Sequence, residues 1–198
     1  MSVNGPEAFV SGPYYFMIGF MTDLDKKFFE RYTPLVAKEL LGKKIIRVYC
    51  GKKIEGIITE TEAYHGFEDK ASHASRGKTE RTKVMFGEAG TIYVYLIYGM
   101  HYCLNIVTEK KNYPAAVLIR GIYANGKAIN GPGRVCRFLK IDKKLNEKPL
   151  SRKSGIWIEE GIKIIPKKII KSTRIGVDYA GPIWSEKLWR FCIKSAKV

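Results

Sequence analysis

Two glutamates and a tyrosine alternate in the stretch GIITETEAY, which ends at Tyr64. Successive side chains of an extended chain point to opposite faces, so Glu60, Glu62 and Tyr64 share one face, together with Ile58. The other face holds Ile57, Thr59, Thr61 and Ala63. Paired carboxylates can act as a general acid or base, or hold a metal ion that activates water. Because charged residues are mostly exposed, a solvated strand face is the plain alternative.

Three further positions could bind an anion or carry a proton. Arg120 ends the apolar run AAVLIR, where a guanidinium needs a carboxylate such as Glu62, or a phosphate, as its partner. The segment GPGR places backbone N–H groups at a predicted helix start, followed by Arg134. His73 lies in a polar loop among basic residues, where a surface histidine is the common alternative to a catalytic one.

A predicted hairpin places large apolar side chains where turns usually carry small polar ones. The strands TIYVYLI and YCLNIVT flank a turn that contains Tyr98, Gly99 and Met100. An exposed aromatic ring at such a tip could enter between stacked bases and unstack them. Alternatively, Tyr98 could fold back against its own sheet.

The charge of the chain indicates a polyanionic partner. Its 198 residues include 35 Lys and Arg against 19 Asp and Glu, a net charge of +16. Such a field favours nucleic acid or an acidic membrane surface, although a basic protein without such a partner is the simpler alternative. A hydrophobic content of 45% places the chain among globular rather than disordered proteins.

The elements that must position these residues predict a single α+β domain. DLDKKFFERY has helical spacing, and Thr33-Pro34 restarts a helix, with Thr33 as its N-cap, that ends at Gly42. KKIIRVYC and IEGIITETEAY read as an antiparallel hairpin. A long polar loop follows from His65 to Gly90, of a length that is usually functional or disordered. We expect a curved, mostly antiparallel sheet with flanking helices and a protruding hairpin.

The remaining composition predicts neither a metal site nor a membrane span. The four cysteines are scattered, without ligand spacing, and are expected to be reduced core thiols: Cys50, Cys103, Cys136 and Cys192. The N-terminal run FVSGPYYFMIGF is interrupted by Gly and Pro and is too short to span a bilayer. We therefore expect an extension over residues 1–22, whose structure the sequence leaves open, and one domain over 23–198.

The order of the motifs resembles one family over nearly the whole chain, from about Phe28 to Ile193. TETEAYHGFEDKASHASRG, MFGEAGTIYVYLIYGMHYCLNIV, AAVLIRG, GPGRVCRFL and RIGVDYAGPIWSEKLWRF occur in that order. This order is similar to that of the alkyladenine (3-methyladenine) DNA glycosylases that lack a helix-hairpin-helix. The blocks ETEAY and YVYLIYGM are the most specific.

The resemblance implies roles for individual residues. Glu62 would deprotonate a water that Arg120 helps to position. Tyr98 would intercalate through the minor groove, with Met100 beside it. The pocket for the extruded base would be lined by Tyr64, His73, Tyr95, Asn105 and Leu118, with Asn105 placed against the amino group of an ordinary guanine. The DNA backbone would contact Arg76, Gly131, Gly133 and Arg134.

The sequence also departs from the family at a few positions. Thr82 follows Arg81 where the family usually has Asn, and His65 stands beside the stacking tyrosine in place of an apolar residue. The segment between Arg120 and Gly131 is short. These departures concern the range of damaged bases rather than the reaction.

The predicted function is therefore a monofunctional DNA glycosylase. It would extrude alkylated or deaminated purines from double-stranded DNA and hydrolyse the N-glycosidic bond, as a monomer with no cofactor, in the cytoplasm or nucleoid, or in the nucleus of a eukaryote. The alternatives are a noncatalytic nucleic-acid-binding protein and a metal-dependent nuclease that uses Glu60 and Glu62.

Overall fold

The computed structural model describes residues 23–194. The N-terminal extension expected over residues 1–22 lies outside the described residues. The single domain over 23–198 stays a prediction.

Two short helices open the described chain. They are α1, Lys26–Phe29, whose Asp25 cap accepts a hydrogen bond from the Phe28 amide, and α2, Thr33–Glu39. The N-cap assignment to Thr33 was wrong, because the cap position is Tyr32 and Thr33 is the first helical residue. The Thr33 hydroxyl instead lies 2.9 Å from that of Thr108 in the interior. Helix α2 packs on the sheet, where Thr61 donates a hydrogen bond of 2.7 Å to the Ala37 carbonyl.

Within residues 23–194, nine strands form one sheet, and the α+β prediction is confirmed. The strands are β1 Lys44–Tyr49, β2 Lys52–His65, β3 Ile92–Ile97, β4 His101–Val107, β5 Ala115–Ala124, β6 Lys127–Asn130, β7 Ile156–Glu159, β8 Ile169–Ser172 and β9 Arg190–Ile193. Every strand pair is antiparallel, and the main order is β3-β4-β5-β2-β1-β7. Strand β6 pairs with β5, and β9 pairs with both β2 and β8.

The two central strands, β2 and β5, carry an irregularity at the predicted acidic face. Their register shifts on both sides of the Glu60–Gly121 pair. The shift separates Ile58 from the acidic face, and Ile58 packs in the main core with Ala63. Arg120 ends the apolar run but not the strand, because β5 continues to Ala124. A Cβ at position 121 would lie 2.9 Å from Glu60 Cβ, so this close approach requires glycine.

Helix α3, Pro132–Phe138, begins after Gly131 as predicted, and α4 spans Pro182–Ser185. The long loop between β2 and β3 is ordered around two 3-10 turns, His73–Arg76 and Lys83–Phe86. Apolar residues of this loop form a second small core with Tyr93 of β3.

The cysteine prediction holds for only part of the set. All four are free thiols, and Cys103 and Cys136 are buried while Cys192 is partly buried. Cys50 is exposed, because it occupies the left-handed turn between β1 and β2 rather than the core. Within residues 23–194, no helix is long and apolar enough to cross a bilayer.

Candidate active site

A small cavity opens between strands β3 to β5 and the segment that follows β8. Its volume is about 120 Å³, well below the roughly 300–1,000 Å³ of sites for drug-sized ligands. Six predicted site residues line it: Tyr64, His73, Tyr95, Asn105, Leu118 and Arg120. Five aromatic rings lie in its wall, those of Tyr64, His73, Tyr93, Tyr95 and Tyr179. A cavity of this size and lining suits a single flat ring system.

Glu62 is not itself part of the cavity lining; it is 0% exposed and lies behind wall residues that bind it. Its Oε2 accepts a hydrogen bond of 2.9 Å from the Tyr64 hydroxyl, and its Oε1 accepts one of 2.9 Å from the Ile175 amide. The Arg120 guanidinium lies 3.4 Å from the same carboxylate. All three donors belong to residues of the cavity wall, so the carboxylate is fixed where the cavity and the sheet meet.

Burial raises the pKa of Glu62 above its ordinary value, and the charge of Glu60 adds to that effect, whereas Arg120, the Ile175 amide and the Tyr64 hydroxyl oppose it. A carboxylate with a raised pKa is a stronger proton acceptor, which a general base requires. A desolvated titratable group beside a cavity is also a common property of catalytic sites.

Glu60 fixes Arg120 in place. Its Oε1 accepts from Arg120 Nε at 3.2 Å and from the Arg190 guanidinium at 3.0 Å, and the side chain is only 14% exposed. Arg190 is held in turn by the Thr173 carbonyl at 3.0 Å. Glu60 is therefore held in an ion-pair network with Arg120 and Arg190 and does not lie free in solvent.

Aromatic side chains from three elements meet at the cavity. The His73 ring stands edge-on to Tyr95, with centroids 4.7 Å apart, and the Arg81 guanidinium lies 5.1 Å from the Tyr95 centroid. Partial burial, together with the charge of Arg81, lowers the pKa of His73 to about 4. The imidazole at the cavity mouth is therefore neutral near pH 7, although the residue keeps part of its surface in solvent.

The predicted Asn105 and Leu118 are neighbours across β4 and β5, and Leu118 also pairs with Glu62 of β2. The Asn105 side-chain amide donates to the carbonyls of Tyr93 and Cys103, at 3.2 and 3.4 Å. Both bonds use Nδ2, which leaves Oδ1 as the acceptor that Asn105 can present to a ligand.

The other predicted residues lie outside this cavity. Tyr98 and Met100 stand at the tip of the β3–β4 hairpin, 86% and 70% exposed. Gly131 and Arg134 line a groove of about 620 Å³ that also includes Arg120 and Arg190. Gly133 packs close to His101, and Arg76 lies on a separate groove beside His73.

Several residues that build the site were not predicted from the sequence. Arg174 and Asp69 are both buried and form an ion pair with N–O distances of 2.6 and 2.8 Å. Ile175 supplies the amide that binds Glu62. Arg174 and Ile175 fall in the motif RIGVD, and the available signal was their place in this block of the family resemblance.

His65 points away from the cavity. Its ring lies 3.0 Å from the Thr33 hydroxyl, 3.2 Å from that of Tyr113 and 3.3 Å from the Glu109 carboxylate. Alternation along β2 explains the direction, since Tyr64 faces the cavity and its neighbour must face the opposite side. His65, which stands where the family usually has an apolar residue, therefore lies on the face of the sheet that packs against α2 and not on the cavity face.

A strongly basic chain that places a buried carboxylate beside a small aromatic cavity has the features of an enzyme acting on the bases of nucleic acids. Residues 27–197 match the family model described as methylpurine-DNA glycosylase. The chain belongs to the methylpurine-DNA glycosylase family, and it is a hydrolase of the DNA glycosylase type.

Its relatives include archaeal and bacterial proteins. One from Methanocella arvoryzae is 43% identical over 192 residues, covering 89% of this chain and 94% of the relative. One from Ehrlichia chaffeensis is 46% identical over 176 residues, with coverages of 86% and 92%. One from Legionella pneumophila is 46% identical over 177 residues, with coverages of 88% and 96%. Each carries the name "Putative 3-methyladenine DNA glycosylase".

Proposed function

We propose that this chain extrudes a damaged purine, alkylated or deaminated, from double-stranded DNA and hydrolyses its N-glycosidic bond without cutting the strand. The observation that carries the proposal is the buried Glu62 carboxylate, held by three donors that all line an aromatic cavity. A purine inside a duplex cannot reach such a cavity, so the nucleotide must rotate out of the stack.

Glu62 is the proposed general base. It accepts a proton from a water molecule whose oxygen bonds to C1′ of the deoxyribose, while the C1′–N9 bond breaks and its electron pair leaves with the base. The sugar acquires oxocarbenium character along this path, which a nearby carboxylate stabilises. Arg120, tied to both Glu60 and Glu62, orients the carboxylate and the water.

The aromatic wall supplies selectivity for damage. Tyr64 and Tyr95 offer ring faces and edges to the extruded base, with His73 beside Tyr95. An alkylated base is electron-poor and often cationic, and aromatic rings attract such a group more strongly than a neutral base. Asn105 and Leu118 complete the wall, and Asn105 discriminates against the amino group of guanine.

Charge and shape outside the cavity support binding to the duplex. The net charge of +16 attracts the phosphate backbone. The groove with Arg120, Arg134 and Arg190 runs beside the cavity, which suits the strand that carries the extruded nucleotide. We assign Arg76, Gly131, Gly133 and Arg134 to contacts with the DNA backbone. The exposed Tyr98 and Met100 are assigned to the gap that the extruded nucleotide leaves in the base stack.

One chain supplies every residue of the proposed site, so we propose that the protein acts as a monomer. It would act where the genome lies, in the cytoplasm or nucleoid, or in the nucleus of a eukaryote.

The two alternatives fit the geometry less well. A noncatalytic binder gains nothing from a desolvated carboxylate, which is costly to bury. A metal ion held by Glu60 and Glu62 would lie beside the guanidinium groups of Arg120 and Arg190, which already occupy these carboxylates and would repel it.

Release of free base tests the proposal directly. Duplexes with a single 7-methylguanine, hypoxanthine or ethenoadenine, and an undamaged duplex, are incubated with the protein with and without a chelator, and the freed base and strand integrity are measured. We expect free base and an intact abasic strand from at least one lesion, unaffected by chelator. Binding to lesion duplexes without any release would favour the noncatalytic alternative, and loss of activity with chelator would favour the metal-dependent one.

A further inference from the structure

Arg81 places a positive charge behind the aromatic wall of the cavity. Its guanidinium lies 5.1 Å from the centroid of the Tyr95 ring. Tyr95 lines the cavity, whereas Arg81 lines a neighbouring groove of about 430 Å³ and is not part of the cavity lining. The Tyr95 side chain therefore contacts the cavity and the guanidinium at the same time.

The buried and half-buried charges beside the cavity are balanced by ion pairs. Three carboxylates each have an arginine partner within 3.4 Å; the pairs are Glu60–Arg190, Glu62–Arg120 and Asp69–Arg174. Among residues 23–194, Arg81 has no carboxylate partner, and the adjacent Glu80 is paired with Lys83 at 2.8 Å. The charge of Arg81 is therefore not compensated at the wall.

The backbone next to Arg81 is fixed by Thr82, which stands where the family usually has asparagine. Thr82 is 3% exposed. Its hydroxyl accepts a hydrogen bond of 2.8 Å from the Thr79 amide and donates one of 3.0 Å to the Gly77 carbonyl. These bonds hold the loop in the position that brings Arg81 to the Tyr95 ring.

The aromatic residues that Arg81 approaches cannot balance its charge. Burial raises the pKa of Tyr93 and of Tyr95, and Arg81 opposes both shifts, so both phenols are uncharged at neutral pH. His73, with its pKa lowered to about 4, is uncharged as well. The positive potential of Arg81 therefore acts on three residues of the cavity wall.

A positive charge at the wall acts against a positively charged base. The face of an aromatic ring attracts a cation through its quadrupole, and a guanidinium at the Tyr95 ring already uses part of that attraction. The guanidinium also repels a second cation directly, and the Tyr95 ring rather than salt solution lies between them. A neutral purine is subject to neither effect.

We infer that Arg81 is a specificity-determining residue that makes the cavity favour neutral damaged purines over cationic ones of the same shape. The inference deepens the proposed function and rests on it. The favoured class contains bases altered by deamination or by an added ring, such as hypoxanthine and ethenoadenine. Purines that carry a positive charge after methylation of a ring nitrogen bind less tightly than the aromatic wall alone would bind them.

Two bases of the same shape and different charge test this inference. Duplexes carry 7-methyladenine, which is cationic in the nucleotide, or 7-methyl-7-deazaadenine, which is neutral. A 2′-fluorine on both sugars slows hydrolysis, so that affinity can be measured. The ratio of the two affinities is compared in wild type, Arg81→Met, Arg81→Lys and Lys78→Met. Lys78 is the matched control, because it lies in the same loop, 5.7 Å from the ring of Phe86, which does not line the cavity.

We expect Arg81→Met to raise the affinity for the cationic base relative to the neutral one by about three- to tenfold. Arg81→Lys should keep the wild-type ratio because it keeps the charge. Lys78→Met should also keep it, since the loss of a general contact with DNA changes both affinities alike. Arg81 is exposed, so its substitution should change the melting temperature little.

An unchanged ratio in Arg81→Met would overturn the inference. An equal shift in Lys78→Met would do the same, because it would show an effect of net charge alone. Arg81→Gln makes the same change of charge with a polar side chain and replaces Arg81→Met if that variant does not fold. In each case wild-type release of free base leaves the proposed function standing, whereas a wild type that releases no base from any lesion duplex removes both.

Discussion

Asp69 and Arg174 form a fully buried, two-point ion pair that joins the loop after β2 to the segment after β8. Arg174 also donates to the carbonyls of Ala63 and Trp184, and its guanidinium lies 4.9 Å from the Tyr64 ring. The next residue, Ile175, donates its amide to Glu62. The pair therefore fixes the backbone that holds the Glu62 carboxylate and one aromatic wall of the cavity.

We expect Arg174→Gln to destabilise the protein by about 3–5 kcal/mol, because it leaves the Asp69 carboxylate buried without its partner. Urea unfolding measures the change. Arg31→Gln is the matched control, since Arg31 and Glu39 form an exposed pair at 2.7 Å that should contribute at most about 1 kcal/mol. Equal small losses in the two variants would show that the buried pair does not hold the fold together.

Glu62→Gln should abolish base release while the protein still binds a duplex with an abasic-site analogue. Glutamine keeps the shape of the side chain but cannot accept the proton of the attacking water, a loss of about 10²–10⁴-fold. Single-turnover release and abasic-duplex affinity, measured on the same preparation, separate chemistry from binding. Turnover near the wild-type rate would remove Glu62 from its proposed role.

Glu60→Gln should lower the rate and move the acid limb of the pH profile to lower pH. Glu62 acts as a base only when ionised, so activity is lost as the pH falls through its raised pKa. The charge of Glu60 contributes to that raised value and also offsets Arg120, so removing it favours ionised Glu62 on both counts. The dependence of kcat/KM on pH, compared with wild type, measures the shift. An acid limb that stays in place or moves to higher pH would show that Glu60 does not tune Glu62.

Local patterns in the sequence predicted the part of the site that lies on regular strands. Alternation along β2 placed Glu60, Glu62 and Tyr64 on one face, and Arg120 was expected to pair with Glu62, as it does. The resemblance to the glycosylase family added the five pocket residues, all of which line one cavity together with Arg120. These features depend on neighbours within a strand or on a motif that occurs as a block.

The missed features depend on contacts between distant segments. Asp69 and Arg174 are 105 positions apart, and no periodicity relates them. The irregularity between β2 and β5 depends on both strands, so it could not be predicted from the sequence of either one. Thr33 lost its expected cap role because Thr108, His65 and Glu109 provide partners in the folded interior.

Duplex binding should weaken steeply with salt, because the basic surface rather than the cavity supplies most of the nonspecific affinity. Each neutralised phosphate contributes about −0.9 to the slope of log affinity against log salt concentration. Arg134→Gln should make the slope shallower by about that amount. Lys153→Gln is the control and should leave the slope unchanged, because Lys153 is exposed and lies just before β7, at the opposite edge of the sheet. A flat salt dependence in wild type would mean that the charge serves another purpose.

Tyr98→Ala should leave the melting temperature nearly unchanged while it weakens binding to lesion duplexes. Tyr98 is 86% exposed at the hairpin tip. Its backbone is left-handed, with φ 51°. Tyrosine and alanine both have a Cβ atom, so the substitution leaves the strain of this backbone position in place. The strands already have their own apolar faces, with Tyr93, Leu104 and Ile106 buried. Stacking of an aromatic side chain on a base is worth about 1–3 kcal/mol, so the binding free energy of Tyr98→Ala should fall by that amount. Tyr98→Phe should keep most of the wild-type affinity.

The loss of affinity in Tyr98→Ala should be smaller for a lesion opposite a mismatch. Extrusion of a poorly paired base costs less and depends less on a side chain that fills the gap. A large loss of stability with affinity per folded molecule intact would place Tyr98 among the structural residues of the hairpin and remove the wedge from the mechanism.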